Sequence, residues 1–160
     1  KAETINNFKR EAVAIANLSH NNIVCVYDIG NQDDIHYIVM ELIDGATLSK
    51  LLSHPGHPFS LEKVLKISDE ICDALSYVHK NKVIHRDIKP ENIIYTSKEI
   101  SKLTDFGIAK FAGDEQLIVN HNPGDVKGTI LYISPEQLQS TDYVDGRADM
   151  YSFAVSMLNY

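Results

Sequence analysis

Residues 85–92 are His85-Arg86-Asp87-Ile88-Lys89-Pro90-Glu91-Asn92, and Asp105-Phe106-Gly107 follows them after a short spacer. The two motifs combine carboxylate and amide oxygens, the ligands that Mg²⁺ takes in proteins, with the positive charge of a lysine. An Asp, an Asn five residues later and an Asp-Phe-Gly on the next hairpin form a spacing that chance rarely produces. The pattern indicates a site that handles phosphate groups together with a divalent cation.

Both motifs resemble the catalytic and metal-binding loops of protein kinases, which have the patterns H-R-D-x-x-x-x-N and D-F-G. The resemblance implies that Asn92 and Asp105 bind Mg²⁺ and, together with Lys89, the phosphates of ATP. Asp87 would orient the substrate hydroxyl and accept its proton, because a general base must lie near the nucleophile but off the metal. Lys89 would place a positive charge on the transferring phosphoryl group. In the family, a Lys here followed by Pro-Glu-Asn goes with Ser/Thr rather than Tyr specificity.

A second segment, Met40-Glu41-Leu42-Ile43-Asp44-Gly45, resembles the kinase hinge. The resemblance implies that Met40 closes the back of the adenine pocket and that backbone groups of Glu41 and Ile43 pair with the adenine edge. Ile94 would form the floor under the adenine. A strand end followed by a glycine turn accounts for the same hinge residues, so this assignment depends on position alone.

Two more residues take their expected roles from the resemblance. Glu11 lies on the apolar face of a helix predicted over about residues 4–18, where a carboxylate needs a cation as its partner. In the family, that partner is the lysine of the third strand, which falls outside this sequence. Alternatively, Glu11 lies at the solvent edge of the apolar face. Thr129 would hydrogen-bond Asp87 and Lys89 from the segment where the substrate docks.

Apolar patterns around these motifs predict both strands and helices. Residues 23–29 and 36–41 predict a hairpin whose turn contains residues 30–34. Ser60 is expected to cap a long helix with one apolar face. The other predicted elements are short strands at residues 93–95 and 102–104 and a helix over residues 142–160.

The resemblance also assigns roles to several core residues. Asp149 is similar to the buried aspartate that holds the backbone of the catalytic loop in this family. Phe106, His85, Ile15 and Val26 correspond to four side chains that stack between the lobes of active kinases. Ordinary core packing accounts equally well for each of the four.

The expected fold is α+β, a bilobal protein-kinase-like fold that is truncated. The resemblance covers essentially all 160 residues and is strongest to the bacterial eukaryotic-like, or Hanks-type, Ser/Thr kinases. Residues 1–42 would form the end of the small lobe, and residues 43–160 the hinge and part of the mostly helical large lobe. The Gly-rich loop, the third-strand lysine and the C-terminal helices would lie outside the sequence, which is therefore expected to be inactive by itself.

Composition narrows the classes of partner. With 22 acidic and 15 basic residues the formal net charge is -7, so nucleic acid and anionic membranes are poor partners. No apolar run reaches the length of a bilayer span and no signal peptide is evident, which predicts a cytoplasmic protein. Cys25 and Cys72 lie far apart within apolar patterns and are expected to be buried, reduced thiols.

The predicted function is transfer of the ATP γ-phosphoryl group to Ser or Thr hydroxyls of protein substrates, with Mg²⁺, as a step in signalling. The alternative is a pseudokinase that binds nucleotide or serves as a scaffold without turnover. The presence of every catalytic residue that this segment should contain disfavours the alternative.

The segment that follows the Asp-Phe-Gly motif lacks phosphorylatable side chains. Residues 108–128 contain no Ser, Thr or Tyr. In many kinases the arginine at this position pairs with a phosphorylated residue of this segment, so Arg86 would instead pair with Asp114, Glu115 or Asp125, or a partner would order the segment. Alternatively, the segment stays mobile and Arg86 is solvated. The sequence thus predicts activity that does not depend on phosphorylation within residues 108–128.

Overall fold

The computed structural model describes residues 15–32, 35–53, 59–106, 130–139 and 144–158. Its strands are β1 (Val26–Gln32), β2 (Ile35–Met40), β3 (Gly45–Thr47), β4 (Ile93–Thr96) and β5 (Ser101–Leu103). Its helices are α1 (Leu48–Leu52), α2 (Leu61–Lys80), α3 (Pro135–Gln139) and α4 (Gly146–Met157), with 3₁₀ turns at Pro90–Asn92 and Ile130–Tyr132. Ile15 and Ala16 are helical, and the earlier part of the predicted first helix lies outside the described residues.

Strands β1 and β2 form the predicted hairpin as an antiparallel pair. The predicted extent of the turn is wrong, because residues 30–32 continue β1 and pair with residues 35–37 of β2. Gly30 is opposite Tyr37, and a side chain at position 30 would overlap the tyrosine ring. Gly30 is therefore a strand residue covered by the tip of the Tyr37 side chain, and not a turn residue.

A second, antiparallel sheet has the order β3-β4-β5 and leads directly to the Asp-Phe-Gly motif. β5 also runs parallel to the segment before β1, through hydrogen bonds from Val24 N to Leu103 O at 2.9 Å and from Leu103 N to Asn22 O at 2.8 Å. The strand that precedes Asp105 is thus bonded on both sides, which fixes the start of the motif.

Helix α2 begins where the sequence predicts. The hydroxyl of Ser60 accepts a hydrogen bond from Lys63 N at 3.2 Å, which satisfies one of the free amides of the first turn. One face is fully buried and consists of Ile67, Ile71, Ala74, Leu75 and Val78. Each large aliphatic side chain buried in this way contributes about 1.5–3 kcal/mol. The helix therefore supplies the base of the core on which the catalytic loop rests.

The four side chains expected to stack between the lobes belong to one region of the core. The rings of His85 and Phe106 lie 4.5 Å apart between centroids. Ile15 and Phe106 are buried in the same apolar cluster, and Val26 packs against it from β1. The core thus connects the β1 strand to the catalytic loop and the Asp-Phe-Gly motif.

Candidate active site

Two predicted catalytic side chains and one predicted metal ligand lie in direct contact. Lys89 Nζ is 2.8 Å from Asp87 Oδ2, and Asn92 Nδ2 donates to the same oxygen at 3.0 Å and to the Asp87 carbonyl at 2.8 Å. The 3₁₀ turn at Pro90–Asn92 produces this geometry, because it folds Asn92 back over Asp87. The Asp87 carboxylate is 17% exposed, so it is oriented by its neighbours and still accessible to a substrate hydroxyl.

The two predicted metal ligands come from adjacent segments. Thr104 N donates to Asn92 O at 3.0 Å, which places the following residue, Asp105, beside the catalytic loop. Asp105 has a left-handed backbone with φ of 55° and an exposed side chain. Asn92 is buried, and its Nδ2 is committed to Asp87, so Oδ1 is the atom left for a cation.

These donors suit Mg²⁺, which prefers carboxylate and amide oxygens and keeps several waters or phosphate oxygens as further ligands. Among the residues that the structure describes, no group of three or more His, Cys, Asp or Glu side chains could form a dedicated metal cage. A cation at Asn92 and Asp105 would accordingly depend on a nucleotide for the rest of its ligands.

His85 connects the catalytic loop to the segment before Asp105. Its Nε2 lies 2.9 Å from the carbonyl of Thr104, and its Nδ1 accepts the amide of Asp87 at 3.3 Å. A carbonyl can only accept and an amide can only donate, so the ring carries its proton on Nε2. Complete burial lowers the pKa of His85 below its ordinary value, with Asp149 acting in the opposite direction. The ring is therefore neutral at pH 7.

Asp149 holds the backbone that precedes Asp87, as the resemblance predicted. Its buried carboxylate accepts His85 N at 2.9 Å and Arg86 N at 2.8 Å, and it lies 2.8 Å from His79 Nε2. Arg86 has φ of 63°, a left-handed conformation that costs a non-glycine residue about 1–2 kcal/mol. Hydrogen bonds from both amides to the Asp149 carboxylate stabilise this bend, which turns Asp87 toward Asn92.

The hinge segment follows the end of β2 at Met40. Glu41 N donates to Cys25 O at 2.8 Å, so the pairing of the two chain segments continues for one residue beyond the end of β2 and before the start of β1. Within the described part of the chain, no hydrogen bond engages the Glu41 carbonyl, and Leu42 is 98% exposed. Ile43 and Ile94 are half-buried. These positions are compatible with the predicted adenine contacts, which remain predictions.

Two predicted site residues, Glu11 and Thr129, lie outside the described residues, as do the acidic residues predicted to pair with Arg86. The structure adds side chains that the sequence analysis did not identify. His79 contacts Asp149, Gln137 Nε2 donates to the Arg86 carbonyl at 3.1 Å, and Lys102 pairs with Glu41. Each partner lies more than 50 residues away in sequence, so local spacing contained no signal for these contacts.

The model of the protein kinase domain family matches residues 1–160, and the chain therefore belongs to that family. The mixed helix and sheet architecture agrees with this assignment. The kinase domain of PknI from Mycobacterium tuberculosis superimposes with a TM-score of 0.77 at 31% identity, covering 99% of this chain and 57% of that domain. The predicted α+β kinase fold is thus confirmed.

The chain is also similar to curated bacterial Ser/Thr kinases. It is 45% identical over 153 residues to a probable serine/threonine-protein kinase of Clostridium perfringens, covering 96% of this chain and 22% of that protein. It is 39% identical over 153 residues to PrkC of Bacillus subtilis (96% and 23%), and 40% identical over 149 residues to PknB of M. tuberculosis (91% and 23%). The chain thus spans less than a quarter of the length of these relatives.

The structure also bears on membranes and thiols. No helix within the described ranges is both long and apolar enough to cross a bilayer.

Cys25 and Cys72 are free and half-buried, so they are less buried than the sequence predicted. Burial raises the pKa of Cys72 above its ordinary value, which keeps that thiol protonated at pH 7.

Proposed function

We propose that the protein transfers the γ-phosphoryl group of ATP to Ser or Thr hydroxyls of protein substrates. The observation that carries this proposal is the contact of Asp87 with both Lys89 and Asn92, beside the exposed carboxylate of Asp105. The relatives named Ser/Thr kinases support the choice of hydroxyl. The acidic net charge of -7 supports protein substrates rather than nucleic acid.

In this proposal Asp87 is the general base. Its carboxylate is held by Lys89 and Asn92, so a substrate hydroxyl that approaches the exposed edge meets an acceptor already oriented for its proton. Lys89 Nζ contacts the Asp87 carboxylate and would place a positive charge next to the transferring phosphoryl group. Thr129 is proposed to hydrogen-bond this pair and thereby favour Ser/Thr substrates.

Nucleotide binding is assigned to a second set of residues. Asn92 and Asp105 would hold Mg²⁺, which when bound neutralises phosphate charge and orients the phosphates for in-line transfer. Backbone groups of Glu41 and Ile43 would bind the adenine between Met40 and Ile94. Glu11 would pair with the lysine that contacts the phosphates.

The proposed domain organisation follows the family. Residues 1–42 would contribute the last helix and strands of the small lobe, and residues 43–160 the hinge and part of the large lobe. Because ATP is the donor, we place the catalytic site in the cytoplasm, and we assign the protein to signalling by phosphorylation.

The test uses the full-length protein with γ-labelled ATP, Mg²⁺ and a generic protein substrate. We expect label on phosphoserine or phosphothreonine after acid hydrolysis, and no transfer when EDTA removes the metal. Label on phosphotyrosine alone would overturn the specificity. Nucleotide binding without any transfer would favour the pseudokinase alternative, which no observation on this chain supports.

A further inference from the structure

Glu41 and Lys102 form an ion pair between the hinge segment and the strand that leads to Asp105. Lys102 Nζ lies 2.9 Å from Glu41 Oε2 and 3.4 Å from the carbonyl oxygen of Ile23. The Lys102 side chain is 15% exposed and the Glu41 side chain 28%, so solvent screens this pair less than an ordinary surface ion pair. The residues are 61 positions apart in sequence, and their side chains join the hinge segment directly to β5.

The glutamate end of the pair is fixed by several bonds. Besides Lys102, Glu41 Oε2 accepts the amide of Cys25 at 3.2 Å, and Glu41 N donates to the Cys25 carbonyl at 2.8 Å. Burial alone would raise the pKa of Glu41, but the hydrogen bonds from Lys102 and Cys25 bring it below its ordinary value. The carboxylate is therefore ionised at neutral pH, and its position is set by Cys25, which precedes β1, together with Lys102 of β5.

The lysine end lies close to the expected nucleotide contacts. Lys102 is the central residue of β5 and is the register partner of Ile94, the predicted adenine floor. Asp105 follows it by three residues, across Thr104, whose amide is bonded to Asn92. A shift of β5 relative to the hinge would therefore change the distance between the adenine contacts and the metal ligands.

We propose that Glu41 and Lys102 are a positioning pair that sets this distance for ATP. The inference rests on the proposed function and adds a role for two side chains that do not themselves touch the phosphates. ATP must contact the hinge at one end and Asp105 at the other, so a site whose two ends are held at the right separation binds it with less ordering cost. Loss of the pair weakens nucleotide binding more than it slows the chemical step.

The test compares the full-length wild-type protein with Lys102→Met, Glu41→Gln and the double variant. The dissociation constant of Mg²⁺ with a non-hydrolysable ATP analogue is measured by calorimetry, and KM for ATP and kcat are measured separately. We expect either single change to raise the dissociation constant and KM by about 5- to 30-fold, with kcat within about 3-fold of wild type. The double variant should resemble the single ones, because the pair is lost only once.

Two further variants make the result specific. Lys98→Met removes a lysine from an exposed position outside the pair and should leave nucleotide binding unchanged. Lys102→Arg keeps the charge and should bind the analogue within about 2-fold of wild type. If Lys102→Met does not fold, Lys102→Gln removes the charge with a smaller loss of polarity, and the same rise is expected.

Unchanged nucleotide binding in Lys102→Met and Glu41→Gln would overturn the proposal, as would a fall in kcat at constant KM. A lowered melting temperature with unchanged KM would show a purely structural role and would overturn it as well. If the wild-type protein binds the analogue but transfers no phosphate, the proposed function fails while the binding series still tests the pair. A wild-type protein that binds no nucleotide would contradict both.

Discussion

A buried carboxylate organises the loop that carries the proposed base. Asp149 accepts two backbone amides and contacts His79 while it is completely shielded from water. An ionised group in such a place is costly unless its oxygens are bonded, and hydrogen bonds to charged groups contribute about 1.5–3 kcal/mol each. Asp149 can therefore hold Arg86 in a left-handed conformation and still stabilise the fold.

Asp149→Asn is expected to lower the free energy of unfolding of the kinase domain by about 1–3 kcal/mol. The side-chain nitrogen of Asn is a donor, so it cannot accept the backbone N–H that a carboxylate oxygen accepts in the wild-type protein. The kcat should fall as well, since the backbone before Asp87 loses a constraint. Urea denaturation and steady-state kinetics measure the two effects. The matched control is Asp145→Asn, because Asp145 is the N-cap of the same helix. Asn caps a helix about as well as Asp, so little change in stability or kcat is expected. Equal behaviour of the two variants would contradict the role of Asp149.

The buried ring of His85 predicts a pH dependence of stability. Burial lowers its pKa in the folded protein, whereas the unfolded chain takes up a proton near pH 6.5. The unfolded state therefore binds more protons as the pH falls below about 6.5, and stability is lost at up to about 1.4 kcal/mol per pH unit until the folded pKa is reached. Above that range the contribution is constant.

Unfolding measured in urea between pH 7.5 and 5.5 tests this dependence. His85→Asn should show a smaller loss of stability over the interval than the wild-type kinase domain, although it starts from a lower value. Parallel curves for the two proteins would show that His85 does not cause the acid sensitivity.

At the scale of elements, the sequence predicted the helices and strands whose positions are set by residues close together in the chain. Ser60 and the apolar spacing that follows it placed α2 correctly. The turn of the first hairpin was placed too early, because Gly30 was interpreted as a turn residue when it serves the packing of Tyr37. The short helix α1 has only five residues and was not predicted, since so few residues show no periodicity.

The absence of hydroxyl side chains from residues 108–128 predicts a regulatory property of the segment after the Asp-Phe-Gly motif. Treatment of the full-length protein with phosphatase should leave its kinase activity unchanged, because phosphate cannot be attached to Ser, Thr or Tyr within that range. Arg86→Ala should lower activity if an acidic residue of the segment pairs with this arginine. Loss of activity on dephosphorylation, with a phosphate mapped to Thr129, Tyr132 or Ser134, would contradict the prediction.

At the scale of the molecule, the site is assembled from segments that come together only in the fold. The motif spacing alone predicted Asp87, Asn92 and Asp105 as site residues, because all three lie within a short stretch of sequence. The ion pair of Glu41 with Lys102 could not be predicted in the same way, since it depends on how β5 packs beside the start of β1. Long-range packing thus supplies the supporting contacts, and local sequence supplies the groups proposed to react.

The central claim is that Asp87 serves as the general base of a phosphoryl transfer. Its most direct test is the initial rate of label transfer from ATP to a Ser/Thr protein substrate by full-length wild-type protein, Asp87→Asn and the exposed control Asp69→Asn. We predict that Asp87→Asn lowers kcat by at least about 100-fold while nucleotide binding is retained, and that Asp69→Asn matches wild type. Transfer by Asp87→Asn at the wild-type rate would contradict the account.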